Sequence, residues 1–193
     1  IIDDVLLDDQ SGQEMLKVTR LSAKFDIMPF FKGKISISSV QLFGFNINLR
    51  KETPDSPPNF KFVLDAFASK DTVKKENSLD LRINSILIRR GRMSYHVLSE
   101  EETPGKFNAK HIQLQNIIAN ISLKALSKDS LNLGIKRLSL DEKASGFSLK
   151  KMSLKLVANN KQTNIDNFTI ELPETSLKLD TIHLEYDSLK AFD

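Results

Sequence analysis

Residues Ser130 to Leu140 read SLNLGIKRLSL, with apolar side chains at Leu131, Leu133 and Ile135, then at Leu138 and Leu140. Alternation with period 2 marks a strand that has one apolar and one polar face. The three-residue step over Lys136 and Arg137 breaks that alternation. In an unbroken strand Leu138 would point away from Ile135. Two readings follow. A β-bulge absorbs the extra residue, bends the strand and returns the apolar set to one face, or the strand crosses between two packed sheets at a corner.

The same signature recurs along the chain. It is present at Ile35, Ile37 / Val40, Leu42, at Leu79, Leu81, Ile83 / Ile86, Ile88, and at Ile112, Leu114 / Ile117, Ala119, Ile121, Leu123. Further copies are Phe147, Leu149 / Met152, Leu154, Leu156, then Ile165 / Phe168, Ile170, Leu172, and finally Leu177, Leu179 / Ile182, Leu184, Tyr186. In the C-terminal part the step falls after residues 135, 149, 165 and 179, at intervals of 14, 16 and 14 residues. One bent strand and one tight turn fit such an interval, since ten residues of strand span roughly 33 Å. A bend at matching positions in neighbouring strands would fold the whole sheet lengthwise into a trough, aliphatic inside and charged outside.

Composition narrows the class. With 193 residues, 27% charged and 40% apolar, the chain is globular in character and is either one domain or a piece of a longer array. It opens mid-pattern with IIDDVLLDD, so a segment of a longer protein is expected, a single unit over 1–193. The aromatics are 12 Phe and 2 Tyr without Trp, so the inward face is mainly Leu and Ile. A net charge of +3, with no platform of aromatics among the basic residues, does not suggest nucleic acid. The absence of cysteine removes disulfides, zinc–thiolate sites and thiol catalysis. No stretch approaches the ~18 apolar residues of a membrane-spanning helix.

Taken in order, Ile2 to Leu7 and Met15 to Phe25 read as strands joined by a turn at Gly12. Asp3, Asp4, Asp8 and Asp9 lack the spacing of a calcium loop and read as a solvated strand edge. Ile27 to Gly33 reads as an apolar turn around Pro29, and Lys34 to Leu49 as a long bent strand. After the loop KETPDSPP, Asn59 is expected to cap a short helix through Ser69, with Phe60, Val63, Leu64 and Phe67 as one apolar stripe closing an end of the sheet's apolar face. Leu79 to Ile88 reads as a strand, and Arg89-Arg90-Gly91-Arg92 as a turn into Met93, Tyr95 and Val97. From Lys110 onward strand follows strand, with turns at SKDS, DEKASG, ANNKQ and PETS.

Motifs that carry chemistry are missing. There is no glycine-rich phosphate loop, nucleophile elbow or HExxH. His96, His111 and His183 each fall in a strand; His183 and Glu185 share an outward face but lack a third ligand at a useful spacing. No catalytic, metal or cofactor residue is therefore assigned, and an enzyme is not expected. What remains is the apolar face. A sheet must bury that face against something, and one short helix cannot cover eight or more strands. If about twenty-five large aliphatic residues each kept ~40 Å² accessible, the patch would reach ~1,000 Å², beyond the ~300–600 Å² usual for a monomer. The fold expected is all-β with one short helix (59–69): an elongated, bent antiparallel sheet forming a taco-like hydrophobic groove. The alternative is a closed β-sandwich. The residues expected to line the groove are Leu114, Ile117, Ile121, Leu131, Leu133, Ile135, Leu138, Leu140, Phe147, Leu149, Met152, Leu154, Leu156, Phe168, Ile170, Leu172, Leu177, Leu179, Ile182 and Leu184.

One family resemblance accompanies this reading. PFFKGKISISSVQLFGFNINL followed by NFKFVLDAF resembles the N-terminal signature of AsmA-like proteins, through Pro29, Gly33, Ile35, Val40, Leu42, Gly44, Leu49, Asn59 and Phe60. SLDLRINSILIRRGRMSYHVL with TPGKFNAKHIQLQNIIANISLKAL resembles the TamB branch of that superfamily, and the likeness covers most of residues 1–190. The resemblance implies a long periplasmic protein, anchored in the inner membrane by an N-terminal helix, whose β-groove reaches toward the outer membrane of a Gram-negative envelope. It implies phospholipid acyl chains and adjacent repeats of the same protein as partners, an outer-membrane assembly protein as a further one, and roles in phospholipid transport and in outer-membrane protein translocation and assembly. The rival within this reading is a scaffold that uses the sheet edges, with the apolar face serving only as core.

Overall fold

The computed structural model describes residues 1–26, 36–68, 82–126 and 130–186. The elements are β1 (Ile2–Asp8), β2 (Glu14–Asp26), β3 (Ser36–Lys51), α1 (Lys61–Ala68), β4 (Arg82–Val97), β5 (His111–Leu126), β6 (Ser130–Glu142), β7 (Ser148–Asn159), β8 (Gln162–Glu171) and β9 (Ser176–Glu185). All nine strands lie in one sheet in chain order, each paired with its sequence neighbours. The fold is all-β with one short helix, a single open, curved, elongated sheet. The central strands β3, β4 and β5 are 16 residues long, which gives the sheet a length of roughly 50 Å along the strands.

Seven of the eight pairings are antiparallel, and β3–β4 is parallel. A tight turn cannot join parallel neighbours; they need a crossover of a dozen or more residues. The 52–81 connection, which contains α1, has that length.

Most of the three-residue steps are bulges; the step at Leu179/Ile182 instead faces an equal step at Ile165/Phe168 and stays in register. At SLNLGIKRLSL, Ile135 pairs with Leu154 and Leu138 with Met152, so β6 advances three residues while β7 advances two. The strand never leaves its sheet, which rules out the corner. Elsewhere the kink has a backbone signature, accompanied by a register shift at Arg90, Asn116 and Asn167 but not at Asp4 or Gly44. Asp4, Gly44, Arg90, Asn116 and Asn167 have φ of 54°, 65°, 55°, 54° and 53°. Each immediately precedes the residue at which the inward set resumes: Val5, Phe45, Gly91, Ile117 and Phe168. A residue in left-handed conformation re-aims the next side chain and sharpens the local bend. Across β1 to β4 these positions are aligned. Asp3 pairs with Arg20 and Val5 with Val18, Val18 in turn pairs with Phe45, and Phe43 pairs with Arg89. A kink line therefore crosses four adjacent strands. β8 and β9 share a second one, because Ile165 pairs with Ile182 and Phe168 with Leu179. The expectation of matched steps fails between β6 and β7: the step after Ile135 faces the regular stretch Met152–Leu154, and the step between Leu149 and Met152 faces Leu138–Leu140.

Two local readings are corrected. Arg89-Arg90-Gly91-Arg92 is no turn; β4 runs through it as one strand, and its Gly-containing break is the bulge at Arg90. Asn59 does not cap α1. Its Oδ1 accepts from the Arg50 N–H (3.0 Å) and its Nδ2 donates to the Asn48 carbonyl (3.0 Å), which fastens the loop to β3. The first helical residue is Lys61, so Phe60 holds the capping position. The reading of Ile27 to Gly33, along with Pro29, Gly33, Ile35, Leu79 and Leu81, lies outside the described residues, as do the side chains of Leu64 and Phe67.

The packed core sits at one end. Val18, Phe45 and Ile117 are buried together, and Val5, Leu16, Leu21, Leu42, Ile47, Ile88, Met93, Leu114, Leu138 and Leu140 pack against them. Six strands thus contribute to it, all from the curved-in face. Gly91 makes it possible: a Cβ there would lie 2.2 Å from Cε1 of Phe45 and 3.0 Å from Cβ of Ile117. The Phe45 ring crosses β4 through the gap that glycine leaves and meets Ile117 on β5.

Candidate functional site

Registration alone places the expected groove residues on one face. Ile121 pairs with Ile135, Leu133 with Leu156 and Leu140 with Leu149. Met152 pairs with Ile170, Ile170 with Leu177, Phe168 with Leu179, and Ile165 with Ile182. Leu131 lies opposite Ala158, and Leu184 opposite Thr163. Phe147 and Leu172 extend the same parity into the turns that precede β7 and follow β8. The alternate residues, among them Lys136, Lys155, Lys178 and Asp180, occupy the other face and are exposed.

The face divides into two zones. Leu114, Ile117, Leu138 and Leu140 belong to or touch the packed core, and Leu149 is also buried. Toward the other end, and outward to β9, covering is incomplete. Leu131, Leu133, Ile135, Met152, Leu154, Leu156, Phe168, Ile170, Leu172, Ile121 and Ile182 are half-buried. Phe147 (46%), Leu177 (48%), Leu179 (38%) and Leu184 (48%) are exposed. Among the described residues no side chain falls below 2% exposure, which a closed sandwich core would require of many residues. The surface on offer is a row of aliphatic side chains in register across β5 to β9, one side of each touching its neighbours and the other uncovered.

Two buried carboxylates hold the packed end in shape, and neither was legible as such. In sequence Asp9 reads with Asp3, Asp4 and Asp8 as a solvated edge; in the structure it is buried, 7% exposed. Its Oδ1 accepts from the Ser11 N–H (2.9 Å), the Ser11 hydroxyl (2.6 Å) and the Gln13 N–H (3.1 Å). Its Oδ2 accepts from Arg50 Nη2 (2.7 Å) and Asn59 Nδ2 (3.2 Å). The Ser11 hydroxyl, helped by the N–H groups of Gln13 and Ser11 and by Asn59, outweighs the opposing effect of burial and holds its carboxyl well below the usual range. Glu142 closes the β6–β7 turn. Burial pushes its carboxyl up, but donors from Ser145, Ala144 and Gln113 together outweigh that and bring it below the ordinary value. Beside it, Asn116 and then Ser148 hydrogen-bond Asp141 and lower its pKa.

His183 lies on the outer face, within 3.0 Å of Glu185, and is exposed. His96 and His111 lie opposite one another across β4 and β5. No helix among the described residues is long and apolar enough to cross a membrane.

The geometry defines a class, an open single-layer β-trough with a polar outside and a partly uncovered aliphatic inside. No protein-family model matches the chain, and no characterised protein or solved structure is significantly similar to it.

Proposed function

We propose that the protein is a segment of a lipid-conducting groove that carries phospholipids between the inner and outer membranes of a cell envelope and supports outer-membrane biogenesis. Acyl chains lie along Ile135, Leu154, Leu156, Phe168 and Leu179 while head groups stay in water at the open lip. The observation that carries this is the in-register aliphatic row of β5 to β9, which no second layer covers among the described residues. Uncovered apolar surface of that extent costs about 25 cal/mol per Å² unless something apolar occupies it. A smooth aliphatic lining suits passage because it offers affinity without a deep, specific well, and it needs no catalytic residue and no cofactor. The resemblance to AsmA-like proteins and their TamB branch supports a periplasmic location and an inner-membrane anchor outside this stretch.

A second reading is favoured by a different observation. The sheet ends in two edge strands, β1 and β9, each paired on one side only, and β1 exposes Ile2 and Leu6. Such edges accept a further strand, from an adjacent repeat or from a client protein during outer-membrane assembly. Lipid content separates the two readings. The groove reading expects phospholipid in mass spectra of denatured protein purified from membranes, and uptake of a fluorescent phospholipid. Leu133→Arg and Leu154→Arg, folded by circular dichroism, lose both. Absence of lipid and of uptake in the unsubstituted protein, or full uptake by the folded variants, would leave the scaffold.

A further inference from the structure

The polar face of the β4–β5 hairpin brings together three groups that the groove does not use. His96 and His111 are register partners, and their Nδ1 atoms are 3.0 Å apart. Oε1 of Glu102, from the connecting loop, is 3.9 Å from Nδ1 of His96. One ligand atom from each of the three lies within 4.8 Å of the others. Two nitrogens bound at about 2.0–2.1 Å to a tetrahedral ion sit roughly 3.3 Å apart, so the histidine pair needs to open by only a few tenths of an ångström. Glu102 is exposed on the connecting loop.

The hydrogen bonding around His111 favours ligation over a plain contact. Its Nε2 lies 2.9 Å from the Glu100 carbonyl oxygen. A carbonyl only accepts, so Nε2 carries the proton and Nδ1 of the neutral ring presents a lone pair. That is the arrangement in which metal-binding imidazoles are held, with the distal N–H on a backbone carbonyl fixing tautomer and ring orientation. His111 is also 7% exposed, so its ring is set in place before any ion arrives. Without an ion, His96 must donate from its own Nδ1 to make the observed contact; with one, it turns the same nitrogen into a second ligand by moving its proton to Nε2. Lys110, next to His111 in sequence, is paired with Glu100.

We propose that His96, His111 and Glu102 bind a divalent ion of the zinc class, the borderline cation that two imidazoles and one carboxylate suit. Three protein ligands leave the fourth position to water. The ion clamps the 98–110 loop onto the ends of β4 and β5, on the face opposite the apolar row, and does not depend on the groove reading.

The test is a zinc titration of the folded chain against a competing chromophoric chelator, with the histidine ring nitrogens followed by NMR. Saturable 1:1 uptake with His96 and His111 ligated through Nδ1 is expected. Glu102→Gln, an exposed change that leaves the fold intact, weakens binding about 10-fold. His111→Asn weakens it at or beyond the 10–100-fold that loss of even an outer partner costs, both roughly. His183→Asn leaves it unchanged. No saturable uptake, ligation through Nε2, or uptake abolished by His183→Asn overturns the proposal. The NMR assignment on the unsubstituted chain decides the matter even if His111→Asn unfolds.

Discussion

Gly91 and Asp9 show how single residues set this sheet's shape. Gly91 is buried in the middle of β4, and its missing side chain is the space through which Phe45 reaches Ile117. Any Cβ there must displace an aromatic ring wedged between strands, and overpacking of that kind costs about 1–3 kcal/mol. Gly91→Ala is therefore expected to lower the urea midpoint by the equivalent of about 2 kcal/mol. Phe45→Ala in the same chain should recover part of that loss, a coupling that independent sites would not show. Asp9 gives a pH dependence with a defined sign. Its folded carboxyl, like that of Glu142, sits below its unfolded value, so the folded state binds fewer protons in acid. The stability it contributes is complete above about pH 5, falls as pH drops through the ordinary carboxylate range near 4, and is gone once the folded group itself protonates. Asp9→Asn should cost about 3 kcal/mol at pH 7, because it leaves Arg50 without its buried partner. It should also flatten the decline of thermal stability between about pH 5 and pH 2. A variant with an unchanged acid slope would remove Asp9 from this role.

At the scale of the strand, the bulge is the repeated device. Strand placement was legible because period-2 alternation survives on both sides of each step, and the step itself announced an extra residue. What could not be read was the hand of the backbone at that residue. Asp4, Asn116 and Asn167 are types that tolerate a left-handed φ, but Arg90 gives no notice of it. Arg89 to Arg92 reads as a turn for the same reason: a glycine among polar residues looks alike whether the chain reverses or bulges. The parallel β3–β4 pairing also escaped, since alternation carries no strand direction. Asp9 escaped because its burial depends on Arg50 and Asn59, far along the sequence. Asn167 tests the backbone claim, as its side chain is exposed. Asn167→Gly should be neutral or stabilising, and Asn167→Val should cost about 1–2 kcal/mol by chemical denaturation, since a β-branched residue resists a positive φ. Equal stability of the two variants would mean that the bulge does not need that conformation.

For the whole molecule, the sheet is one open, curved layer whose apolar side is packed around Val18, Phe45 and Ile117 and is left partly exposed along β5 to β9 among the described residues. The packed part lies around Val18, Phe45 and Ile117; the aliphatic row from β5 to β9 is the partly exposed surface to which the proposed lipid binding is assigned. The face of each groove residue was legible from parity alone. The division into a filled and an open zone was not, because it depends on long-range packing such as that of Phe45 over Gly91 against Ile117. The lipid reading rests on that open zone, and parity makes it testable one residue at a time. A photo-crosslinking amino acid placed in turn at Leu133, Leu154 and Leu179 on the inner face, and at Lys155 and Lys178 on the outer face, reports what each position touches in intact cells. The account predicts phospholipid adducts, detected by mass spectrometry, at the three inner positions and none at the two outer ones. Adducts at neither face, or equally at both, would contradict it.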